Sequence, residues 1–178
     1  MKNLILFLFL STVIASFSQS EETKRNLKKM KYTASELAYT DEKMKIYPRG
    51  FIYKVDEPDS VFYFACFSSD QKDVKNYFEG EKTTLPKFAL DVKINRGIEG
   101  YMDSMVVESL DIKLGHFKSS TGEKYSINED TKYVLMYYWS NQMMDRFFAK
   151  NFRYFKKFAR EHPELKIQVI AVSTDKPN

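Results

Sequence analysis

The sequence predicts an α/β protein whose last third is a strand–helix–strand unit, preceded by an α+β region. Three observations carry that expectation. Lys132 to Trp139 contains the unbroken apolar run Tyr133-Val134-Leu135-Met136-Tyr137-Tyr138, and Ile167 to Val172 is a second short run. A strand that lacks polar alternation is one covered on both faces, as in parallel sheets. Between the two runs, Met144, Phe147, Phe148, Phe152, Phe155 and Phe158 fall at helical spacing. With short connections, the two strands of such a unit must lie parallel.

The chain has 178 residues, 43% hydrophobic and 16% aromatic, which suffices for a sizeable core. It begins with Lys2, the apolar run Leu4 to Leu10, and then small residues at Ser16, Ser18 and Ser20. This is the pattern of a secretory signal peptide over residues 1–20, with cleavage expected near Ser18 or Ser20. The run is shorter than the roughly 20 residues that span a bilayer, and no later segment is able to cross one. The expected location is therefore periplasmic or secreted, with no membrane span after cleavage. Loss of Lys2 takes the formal charge from +4 to +3, too weakly basic to imply nucleic acid.

Residues 21–112 form the α+β region. Leu27, Met30, Leu37 and Met44 have helical spacing in a polar setting, which fits a tether or an exposed helix. After the break at Pro48-Arg49-Gly50, Phe51–Val55 and Val61–Phe67 read as two strands joined by a turn over residues 56–60. A short helix is expected around Val74 to Phe78, and residues 87–110 give mixed signals. Cys66 is the only cysteine, so no internal disulfide can form. Its apolar surroundings favour a small buried hydrophobe over a free thiol or a bridge to another chain.

Residues 113–178 hold the sharper signals. Phe117 to Ile127 is a hairpin candidate with Gly122 near its turn. Ser140 and Asn141 are suitable N-caps for the helix, and Pro163 ends it. The lead-in hairpin, the strand entering Tyr138-Trp139-Ser140 and the closing Val169-Ile170-Ala171-Val172-Ser173-Thr174-Asp175 together resemble the thioredoxin-like thiol–disulfide oxidoreductases and peroxiredoxin relatives exported by bacteria. The resemblance covers about residues 114–176, the front half of such a domain. It implies a Cys-x-x-Cys pair just after the tryptophan, where helix N-terminal amides favour a thiolate. That pattern places the two sulfurs at Met143 and Arg146, and neither side chain can form a disulfide. No peroxidatic cysteine is present.

The family continues past this point with a helix, a cis-proline loop, two more strands and a closing helix. The second strand of the unit is therefore expected to present an open edge, covered by the first half of the chain or by a protein or peptide partner, unless the reading frame is truncated. Other readings are weaker. The cations of the helix (Arg146, Lys150, Arg153, Lys156, Lys157 and Arg160) suit an anionic lipid or a groove, but a solvated outer face is favoured. Met143 and Met144 suggest copper, but adjacent residues diverge on a helix, and no His or Cys lies nearby. His116 and His162 lack metal-ligand spacing, and Glu21-Glu22 and Glu129-Asp130 sit in polar surroundings. No cofactor is expected. The sequence reads as an exported thioredoxin-like protein without redox cysteines, with a binding or scaffold role. The rivals are a remnant of a periplasmic oxidoreductase and an independent β-rich module in residues 21–111.

Overall fold

A computed structural model describes residues 19–41, 49–64, 70–80 and 109–175. Cys66, Met44 and most of residues 87–110 lie outside them. The elements are α1 (Glu21–Met30), β1 (Leu37–Thr40), β2 (Arg49–Lys54), β3 (Glu57–Phe64), α2 (Asp70–Phe78), α3 (Leu110–Gly115), β4 (Phe117–Lys118), β5 (Tyr133–Trp139), α4 (Arg146–Glu161) and β6 (Ile167–Ser173). Among the described residues the strands form one mixed sheet, in the order β3-β2-β5-β6-β1-β4.

The apolar run of β5 is explained by its central place. Leu135, Tyr137 and Trp139 face one core with α1, α2 and α4, while Val134, Met136 and Tyr138 face a second core with α3, Phe117 and Tyr125. The β5–α4–β6 unit is present, with β5 and β6 parallel from Tyr133↔Ile167 to Trp139↔Ser173. Along α4, Phe148, Phe152 and Phe155 are fully buried, each worth about 2 kcal/mol in apolar burial. The helix closes at Glu161, before Pro163.

The sheet draws strands from both sides of the boundary set at residues 112 and 113, which itself falls inside α3. The β2–β3 hairpin pairs antiparallel with β5, from Arg49↔Tyr138 to Lys54↔Tyr133. On the other flank, β1 lies parallel to β6 through Leu37↔Ala171 and Tyr39↔Ser173. The expected open edge at β6 is therefore filled from within the chain, and the outer strands are β3 and β4. Residues 21–111 do not stand apart as a β-rich module, because β1 and β2 are interior strands of the shared sheet.

Several local expectations need correction. The helix after Trp139 starts at Arg146, not Asn141, because Asp145 is its N-cap: its Oδ1 accepts from the Phe148 N–H at 2.8 Å. Residues 141–143 form a separate 3₁₀ turn. Leu37 belongs to a strand rather than to a helix running on from Leu27, since α1 stops at Lys31 in the left-handed region. That helix is not an exposed tether, because it buries Leu27 and Met30. The β2–β3 turn takes only Val55 and Asp56, a register shift between Tyr53 and Lys54 absorbs the mismatch, and Pro58 sits in the outer strand, where its missing N–H is tolerated. The hairpin at Phe117 shrinks to a two-residue strand bridged by Lys118↔Lys124, with Gly122 at φ 85° in its turn.

Candidate functional site

In sheets with parallel strands, ligands gather beyond the carboxyl ends of those strands. Here β5, β6 and β1 are parallel and end together, with Trp139, Ser173 and Tyr39 in one row across them. All three are buried. The chain leaves Trp139 through Ser140 into the 3₁₀ turn, and the Trp139 carbonyl accepts from the Thr174 N–H at 3.1 Å.

Asn141 ties that turn to two other elements. Its backbone N–H donates to Asp175 Oδ2 at 2.6 Å, and its Nδ2 donates to Thr23 Oγ1 at 3.0 Å. Its Oδ1 accepts from Asn26 Nδ2 at 2.9 Å. Thr23 and Asn26 are three residues apart, hence neighbours on one face of α1, and both are buried. So α1 clasps the turn, and the Asn141 side chain is engaged there rather than capping α4. Burial raises the Asp175 carboxyl above its ordinary pKa and nearby Glu22 adds to this, against the Asn141 N–H and the Ser173 hydroxyl.

Among the described residues, Trp139 Nε1, Tyr39 Oη and Gln19 Nε2 near this end are buried with no hydrogen-bond partner in bonding geometry. The Tyr39 hydroxyl is raised chiefly by burial, with Gln19 opposing and Asp175 adding.

The expected site residues fall on three different elements rather than on one helix start: Trp139 closes β5, and the two sulfur positions are split between the 3₁₀ turn and α4. Met143 ends the 3₁₀ turn and packs against the main core, while Arg146 opens α4 with an exposed side chain. Met144 is buried, which accords with packing rather than copper. Glu129 and Asp130 lie exposed in a turn, and His162 stacks on Phe158 at 4.4 Å. Among the described residues no cluster of His, Cys, Asp and Glu has the makings of a metal site, and no helix is long and apolar enough to cross a membrane.

A buried polar group that the sequence reading missed lies beneath α4. Asp70, at the start of α2, is fully buried and accepts a short hydrogen bond from the Tyr137 hydroxyl. Asn151 Nδ2 reaches both Asp70 Oδ2 and Tyr137 Oη at 3.2 Å, and Gln71 Nε2 donates to Asn151 Oδ1 at 2.8 Å. The available signal was Asn151 itself, a polar residue amid the inward stripe of phenylalanines. Asp70, Tyr137 and Asn151 are buried, so the group serves to join α2, β5 and α4.

Comparison of the chain with protein families, curated proteins and solved structures finds no match.

Proposed function

We propose that this is an exported, thioredoxin-like protein that binds a partner without performing thiol–disulfide chemistry. The observation that carries the reading is the occupancy of the turn after Trp139. Where the resemblance calls for a dithiol, the chain has Met143 and Arg146, and the turn is held by hydrogen bonds that Asn141 donates to Asp175 and Thr23 and accepts from Asn26. A thioether has no proton to lose, and a guanidinium has no sulfur. The sheet supports the fold half of the reading. In the family two further strands follow the βαβ unit, and here a hairpin from earlier in the chain extends the sheet on that flank, with β2 paired to β5 and β3 beyond it. Fold alone does not set function, and a domain of this kind without a redox dithiol can still hold an extended peptide at a sheet edge or in a groove.

The test is insulin reduction by dithiothreitol with the purified protein. The expected rate equals that of dithiothreitol alone, and added turnover would overturn the reading. A second arm installs the pair as M143C/R146C in a Cys66→Ser background. If the turn is a dithiol site that has lost its sulfurs, this variant loses about 2 Da on oxidation, one disulfide's worth of hydrogen, and gains insulin-reducing activity. A pair that never closes would show that the turn is not of that type.

A further inference from the structure

Four cations of α4, Arg153, Lys156, Lys157 and Arg160, follow the spacing i, i+3, i+4 and i+7, so they share one face. Lys157 and Arg160 are solvated on that face as expected of a basic helix, while Arg153 and Lys156 are half-buried. The face runs beside the C-terminal end of α1, and a groove of about 600 Å³ opens between them. Its lining is Met30, Lys31 and those four cations, with no carboxylate among them. We propose that this groove binds a phosphate-bearing anion.

Helix capping accounts for part of the cluster. Arg153 Nη1 donates to the Lys29 carbonyl at 2.7 Å, and Lys156 Nζ donates to the Lys31 carbonyl at 2.9 Å. Both therefore cover the negative end of α1, which would otherwise repel an anion. Lys156 is further neutralised by Glu36 at 2.6 Å, and Lys157 has Glu161 at 3.6 Å. Arg160 lies in the last turn of α4, where a cation suits the helix dipole, and Lys31 has no such explanation. Among the described residues neither has an ion-pair partner, and both are exposed.

Lys31 is the telling residue. It sits at φ 61°, ψ 41°, where its N–H caps the Leu27 and Lys28 carbonyls. Glycine performs that capping without the steric penalty, so the lysine side chain adds nothing to the cap and carries strain. What it does add is charge at the mouth of the groove. Lys166, at φ 49°, has the same strained geometry but lies outside the groove, and it serves as an internal control. Arg153 keeps further N–H donors beyond the one on Lys29, and a guanidinium fork matches a tetrahedral oxyanion. Several cations within one groove suit a multiply charged phosphate better than a single carboxylate. The site lies at the opposite end of α1 from the Trp139 turn and stands independently of the thioredoxin-like reading.

The test is calorimetric titration of the purified chain with inorganic pyrophosphate at low salt. A parallel arm measures co-sedimentation with phosphatidylglycerol–phosphatidylcholine vesicles, against phosphatidylcholine alone. Saturable pyrophosphate binding assigns a soluble phosphate, whereas binding only to the anionic vesicles assigns a lipid headgroup. Either way, K31G and R160Q are each expected to weaken binding about tenfold, the scale of one charge-assisted contact. K166G is expected to leave it unchanged. K31G should keep or raise Tm, so its loss of binding would not reflect unfolding. The proposal is overturned if neither ligand binds, if K31G and R160Q bind like the parent, or if K166G weakens binding as much as they do.

Discussion

Replacing Gly50 by alanine is expected to cost about 3 kcal/mol, read as a lower urea midpoint at unchanged slope. Gly50 lies in β2 between Phe64 of β3 and Tyr137 of β5, its direct partners on either side. The row continues through Ala171 to Leu37, so small residues flank the Tyr137 ring on both sides. That space is taken by Phe64, whose ring stacks on Tyr137 at 5.9 Å and 11°. A Cβ on Gly50 would fall 2.0 Å from Phe64 Cζ and 2.2 Å from Cε2. Phe64 is fully buried and also packs against Phe155 at 5.9 Å, so its ring has little room to swing away. Adding Phe64→Leu to Gly50→Ala should recover part of the loss, since the shorter side chain frees the same volume. An alanine variant as stable as the parent would mean that the hairpin does not pack against β5 in this register.

The second large effect is expected at Tyr137. Tyr137→Phe keeps the ring among Phe148, Phe152 and Phe155 but removes the hydroxyl that donates to Asp70. A buried carboxyl then loses a donor that no water replaces, which costs about 2–3 kcal/mol. Asn151→Ala acts on the same group, so the two losses should not add. A double-mutant cycle is expected to give a coupling of about 1 kcal/mol or more. Additive losses would indicate that the three side chains do not form one network. Because the group joins α2 to β5 and α4, both variants should also loosen α2, visible as faster amide exchange over residues 71–78.

The sequence reveals local periodicity better than it reveals partnership. The β5–α4–β6 unit was legible because its strands are apolar at every position and its helix carries a stripe of phenylalanines. Pro163 marked the helix end for a backbone reason that tertiary structure does not override. The start was misplaced because Ser140, Asn141 and Asp145 are all competent caps. What decides among them is Asn141's engagement with Thr23 and Asn26, more than 100 residues away in sequence. The β2–β3 hairpin was legible as strands, but no local feature says that it would lie against β5. Its clue is Gly50, which read only as part of a break and proves to be the seat for Phe64. β1 was hidden because four residues are too few to show a period of two, and Leu37 extends the helical spacing of α1 by chance. The α4 cations were visible as a face, but Lys31 joins them only through the docking of α1.

Among the described residues, both halves of the chain share one sheet. Native-state hydrogen exchange followed by mass spectrometry tests this most directly. Peptides covering residues 49–54, 133–139 and 167–173 are expected to open with a common free energy and the same response to urea, because β5 is hydrogen-bonded to β2 on one side and to β6 on the other. Free exchange of residues 49–54 while residues 133–139 stay protected would contradict it.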